Sequence, residues 1–136
     1  RLISENAKRM QHFSNIDYQY HDFRKSPYVE KMDGIYLVDV IEHIYKEEES
    51  SFLTNVCDSL TKHGICLVGT PNRTAEQYAS ELSKVGHVNL KDYSELKSIG
   101  ESRFFNHFMF AMNDEVIHTG FPAMAHFQWL LGVGPR

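Results

Sequence analysis

Gly34-Ile35-Tyr36-Leu37-Val38-Asp39-Val40-Ile41-Glu42-His43 decides how this chain is to be understood. Its first half is rich in β-branched and aromatic residues and lacks alternation, which predicts a strand covered on both faces. Its second half brings two carboxylates and an imidazole to the end of that strand. Glu47, Glu48 and Glu49 follow, and then Phe52, Leu53, Val56, Cys57 and Leu60 fall on one stripe of a helix over about 47–61. The acidic first turn and the Lys62-His63-Gly64 close suit the helix macrodipole and a C′ glycine. The cluster therefore sits at a strand-to-helix turn, where open α/β sheets bind ligands.

Moving outward, Ile65 to Gly69 reads as a second buried strand, which Pro71 in Thr70-Pro71-Asn72 ends by withholding an N–H. Upstream, a helix is expected over about 2–12, and Ile16 to Asp22 alternates apolar and polar as a half-buried strand does. Downstream, a short helix is expected around Ala75 to Leu82, followed by Gly86-His87-Val88-Asn89 and a helix over Asp92 to Glu101. A strand over Phe104 to Met112 turns at Asn113-Asp114-Glu115 into Val116 to Thr119, a hairpin. The apolar tail Met124 to Leu131 suggests a helix. Strands separated by helices imply parallel βαβ units, so the expected fold is α/β: a three-layer sandwich with a C-terminal antiparallel hairpin, in a single domain over 1–136.

Composition excludes little but points one way. The 136 residues are 42% hydrophobic and 24% charged, the proportions of a globular domain. A net charge of -4 and the absence of a long basic run disfavour nucleic acid as a partner. No apolar stretch approaches the roughly 20 residues of a membrane span, no signal-peptide order opens the chain, and a cytoplasmic location is the default. Cys57 and Cys66 are spaced as core hydrophobes with free thiols rather than as a CxxC pair. The chain begins at Arg1, directly in a helical pattern, as a fragment of a longer protein would.

The order of motifs resembles the C-terminal two-thirds of a class I S-adenosylmethionine-dependent methyltransferase. The matching pieces are His21-Asp22-Phe23, Leu37 to Ile44, Gly69-Thr70-Pro71-Asn72 and the hairpin over 104–119. Asp39-x-x-Glu42-His43 and Gly86-His87-Val88-Asn89 are most similar to the ubiquinone-biosynthesis O-methyltransferases and the small-RNA 2′-O-methyltransferases. The resemblance implies a Rossmann-like fold and S-adenosylmethionine as cofactor, with Asp22 accepting from the adenine amino group, the Phe23 backbone beside the ring, and the backbone of Asp39 and Val40 beneath the methionine moiety. Taken without the resemblance, Asp22 reads as a turn-forming residue. The family's glycine-rich loop and ribose-binding acid belong to two strands that this sequence lacks. Missing N-terminal strands would leave sheet edges exposed, through which copies of the chain could associate.

Two chemistries fit the cluster. If the turn after the strand is helical, Asp39, Glu42 and His43 share one face. The resemblance adds His87, making a set of two oxygens and two nitrogens for a divalent metal. That set suits Mn²⁺, Co²⁺ or Zn²⁺ better than Mg²⁺, and Asp39 stands where the resembled families have Glu. A metal there would activate a substrate hydroxyl for methylation; without one, His43 or His87 would serve as general base. Each residue also has an ordinary reading: Glu42 as a helix cap, His43 as a turn histidine, His87 as a loop residue, and Glu47 to Glu49 as a solvated helix start. The leading expectation is O-methylation of a small-molecule hydroxyl with Glu42, His43 and His87 catalytic. The alternative is a non-catalytic fragment or interaction module that keeps the fold.

Overall fold

Leu37 pairs with Val68 and Val38 with Gly69 in the parallel ladder at the heart of the chain. The computed structural model describes residues 2–136; Arg1 and the side chain of Leu2 lie outside the described residues. The element order is α1 (Leu2–Arg9), β1 (Met32–Val38), a 3₁₀ turn (Ile41–His43), α2 (Lys46–Asp58), β2 (Leu60–Pro71), a 3₁₀ segment (Arg73–Tyr78), α3 (Glu81–Gly86), α4 (Tyr93–Arg103), β3 (Phe104–Asn113), β4 (Val116–His118), a 3₁₀ turn (Pro122–Met124) and β5 (Phe127–Pro135). The five strands form one mixed sheet in the order β1-β2-β5-β3-β4. Among the strands of the described residues, β1 and β2 pair parallel and the other pairings are antiparallel.

A parallel pair needs a crossover, and α2 supplies it. Phe52, Leu53, Val56 and Cys57 of α2, with Leu96 and Ile99 of α4, pack on Leu37, Cys66, Val68 and Leu130 of the sheet. Each large apolar side chain buried this way contributes about 1.5–3 kcal/mol. Asp92 caps α4 by accepting from Glu95 N, while the Glu95 side chain accepts from Asp92 N, closing a capping box. At the hairpin, Asp114 and Glu115 have φ of 45° and 68°, the positive values that a two-residue hairpin turn requires.

Several expectations change. Residues 16–22 are not a strand: they are irregular, with Tyr18, His21 and Asp22 half-buried and the others exposed, and no strand pairs with them among the described residues. Alternation alone does not make a strand when no covered face receives it. The tail is strand β5, not a helix, and it lies in the middle of the sheet. Its burial alternates strictly, with Gln128, Leu130, Gly132 and Gly134 on the helix-covered side. Helix α2 stops at Asp58, so Lys62-His63-Gly64 lies inside β2 and not at a helix end. The segment around Ala75 to Leu82 divides into two short helices, because Asn72 and Ser80 each cap a separate start. Finally, β1 is an edge strand buried on one face. Tyr36 is 77% exposed, and Ile65, Phe108 and Ile117 are exposed on the sheet face opposite α2 and α4.

Close packing of the middle strand rests on small residues. A Cβ on Gly132 would fall 2.5 Å from the ring of Phe104, which is buried. Gly132→Ala is expected to lower stability by about 1–3 kcal/mol through overpacking, measured as a lower urea midpoint at unchanged m-value.

Candidate active site at the ends of two parallel strands

Val38 and Gly69 end their ladder side by side, and Asp39 N extends it by donating to Gly69 O at 3.0 Å. Asp39 itself takes φ of 53°, a left-handed conformation that Asp tolerates better than most residues. This bend turns the chain into the Ile41–His43 turn and drives Glu42 beneath the end of β2. Glu42 is fully buried. Its Oε2 accepts from Thr70 Oγ1 at 3.0 Å, and its Oε1 has no hydrogen-bond partner among the described residues. An unpaired carboxylate oxygen in a dry site is costly.

That oxygen faces His43 Nε2 at 3.9 Å. The other nitrogen, His43 Nδ1, lies 2.8 Å from Gly86 O; a carbonyl only accepts, so Nδ1 carries a proton and donates it there, leaving Nε2 to face Glu42. His87 closes the group, its ring centroid 5.4 Å from that of His43, with its own buried Nδ1 unpartnered. One ligand atom from each of Glu42, His43 and His87 lies within 4.8 Å of the others. The sequence-based set thus comes together except for Asp39, which is exposed and outside the group. Residues 39 and 40 precede the helical turn, so the shared helical face does not extend back to Asp39.

The remaining expected residues have clear local roles. Asp22 closes a turn: its Oδ1 accepts from Arg24 N at 3.1 Å and from Arg24 Nε at 2.9 Å. These bonds hold its carboxyl at about 2, below the ordinary 3.8. Phe23 packs against the core edge-on to Phe52, and its carbonyl accepts from Asn55 Nδ2 at 2.7 Å. Val40 is half-buried against the same core. Beside His87 opens a cavity of about 400 Å³, walled by Asn72, Glu76, Tyr78, Ser83 and His126 among others. Cys57 and Cys66 are buried free thiols, and burial pushes Cys66 up to about 12.

No protein-family model matches the chain, and no curated protein matches it. Solved structures do. Over 98% of its length the chain superposes on 62% of the N-methyltransferase NodS from Bradyrhizobium japonicum WM9, in complex with S-adenosyl-L-homocysteine, at a TM-score of 0.67 and 13% identity. Over 96% it matches 70% of a S-adenosylmethionine-dependent methyltransferase from Thermotoga maritima, described as a possible histamine N-methyltransferase, at 0.71 and 15%. Over 85% it matches 57% of the methyltransferase domain of bacterial CtHen1-C, at 0.56 and 17%. The fold is the Rossmann-like methyltransferase fold. The chain spans 62% of the length of NodS.

Within this methyltransferase fold, the residues missed from sequence are those that hold the cluster. Thr70 reads from sequence as a strand end and part of the Gly69-Thr70-Pro71-Asn72 piece, not as the partner of Glu42. Glu49, grouped with a solvated acidic run, is in fact buried beside the fully buried Lys91. Its position three and four residues before Phe52 and Leu53 was the available signal, since that spacing puts it on the core face. Burial pushes Glu49 up, but hydrogen bonds from Lys91, Asn89 and Lys46 more than reverse this and hold it below the usual carboxylate range; burial pushes Lys91 down.

The Asp22 turn gives a pH prediction. Its folded pKa lies below its unfolded one, so the stabilisation is present above about 3.8 and is lost as pH falls toward 2. In Arg24→Gln the Asp22 carboxyl should titrate close to 3.8 by carbon-detected NMR; an unchanged midpoint would rule out the guanidinium as the cause.

Proposed function

We propose that this chain carries the acceptor side of a S-adenosylmethionine-dependent methyltransferase that methylates a hydroxyl of a small molecule. The observation that carries this reading is the buried Glu42 oxygen, free of any donor and aimed at His43 Nε2, at the carboxyl end of a parallel strand in a methyltransferase fold. S-adenosylmethionine, when bound, supplies an electrophilic methyl group. The chain's own task is then to orient the acceptor hydroxyl and take its proton.

His43 fits that task as general base. Gly86 O fixes its tautomer, Nε2 presents the lone pair, and the Glu42 carboxylate stabilises the imidazolium that forms on proton uptake. Thr70 holds the carboxylate in place. The cavity beside His87 accommodates a small substrate, and a rigid strand-end frame favours the in-line geometry on which methyl transfer depends. Asp39 and Val40 contribute backbone at the strand end, and Asp22 and Phe23 form the turn assigned by resemblance to the adenine.

One ligand atom from each of Glu42, His43 and His87, all within 4.8 Å of one another, would also suit a divalent cation. One oxygen and two nitrogens suit Zn²⁺, Co²⁺ or Mn²⁺. Such an ion, when bound, supplies Lewis acidity toward a substrate hydroxyl. The Gly86 bond to His43 Nδ1 is the outer-shell partner that metal-binding histidines usually have.

Isothermal titration of the full-length gene product with S-adenosylhomocysteine should give saturable one-site binding. No binding would overturn the methyltransferase reading in favour of a module that keeps the fold without cofactor. Independently, Co²⁺ bound per chain, followed by visible absorbance, should fall sharply in a Glu42→Gln, His43→Gln double variant. Equal uptake by both proteins would remove the metal.

A further inference from the structure

Lys91 is the largest of the fully buried side chains, 1% exposed, and its ammonium group plays no part in the chemistry above. It contacts Glu49 Oε2 and Asn89 Oδ1, and lies 3.3 Å from Asn89 O. Asn89 in turn donates from Nδ2 to Glu49 Oε2 at 2.6 Å and to Ile44 O at 3.0 Å, and from its backbone N to Glu42 O at 3.0 Å. Two of these bonds, Asn89 N to Glu42 O and Asn89 Nδ2 to Ile44 O, tie the segment that carries His87 to the turn that carries Glu42 and His43, and the contacts with Glu49 tie it to α2. From its other side, Lys91 O accepts from Gln128 Nε2 at 2.8 Å and from Arg73 N at 2.9 Å, anchoring the same segment to β5 and to the start of the 3₁₀ segment.

Stability alone is a poor reason for this arrangement. Replacing a buried ion pair by apolar side chains of similar volume is often neutral or stabilising. Location is a better one, because Asn89 can satisfy Ile44 O only while Lys91 and Glu49 hold its amide in one orientation. We infer that Lys91, paired with Glu49, is a positioning residue: by orienting Asn89 it fixes the distance between His87 and the Glu42-His43 pair. The inference rests on the reading of that trio as the chemical centre, but the geometry it asserts can be measured without any reaction.

The test replaces the pair whole. In a Glu49→Leu, Lys91→Met double variant the protein should keep its urea midpoint or gain, since no unpaired charge remains. The nuclear Overhauser effect between the His43 and His87 rings should nevertheless weaken at least twofold, and Co²⁺ affinity should fall by roughly 10–100-fold, the range for loss of an outer-shell partner. An unchanged ring contact in a folded double variant overturns the inference, whatever the metal does. If the wild type takes up no Co²⁺ while the ring contact still depends on the pair, the metal reading fails and the positioning role stands. Should the double variant not fold, Asn89→Ala keeps the Glu49-Lys91 pair and removes the amide that joins it to Ile44 O. The same weakening is expected there, and an unaltered contact overturns the proposal equally.

Discussion

Parallel pairing of Val38 with Gly69 brings the carboxyl ends of β1 and β2 to one edge of the sheet, and the rest of the site depends on that register. Because the two strands end together, the turn after β1 lies against Thr70 near the end of β2, and one hydroxyl can hold a carboxylate that no water reaches. The register is itself secured by the crossover. Helix α2 must span back over the pair, and its Phe52, Leu53 and Val56 stripe leaves it one favourable face to lay on Leu37, Cys66 and Val68. A slip of one residue in β1 would turn Leu37 to the uncovered face.

What the sequence revealed of the fold follows from how local each signal was. Strand β1, strand β2 and helix α2 were legible because their apolar spacing has one physical interpretation each. The β3–β4 hairpin was legible because Asn113-Asp114-Glu115 is turn chemistry. Strand β5 was not, since Phe127, Trp129, Leu130 and Leu131 satisfy a helix and a strand alike. What makes it a strand is the antiparallel fit between β2 and β3, a nonlocal fact that Gly132 permits by admitting the Phe104 ring. The converse error arose at residues 16–22, where a strand-like alternation meets no partner and stays irregular.

At the site, the division is similar. Glu42 and His43 are neighbours in the chain, so their proximity needed no structure to anticipate. His87 was reached only through resemblance, and its approach depends on three backbone or side-chain bonds from Asn89 that no pattern announces. Asp39 was placed in the cluster on the assumption of a helical turn. The left-handed φ at that residue breaks the assumption one residue before the turn starts.

Local rules are broken at several points, and the exceptions differ in kind. Asp114 and Glu115 adopt positive φ for a reason internal to a tight hairpin. Asp39 has no such reason: it ends an edge strand, where an extended residue would cost nothing. A carboxylate oxygen without a donor at Glu42 and a fully buried ammonium at Lys91 likewise bring the fold nothing that apolar side chains would not. All three lie on the segments that meet at the carboxyl ends of β1 and β2. Conflicts between local preference and observed structure are expected where a sequence serves chemistry rather than folding. Their convergence on one end of the sheet therefore argues for a working site there on grounds independent of any likeness to other proteins.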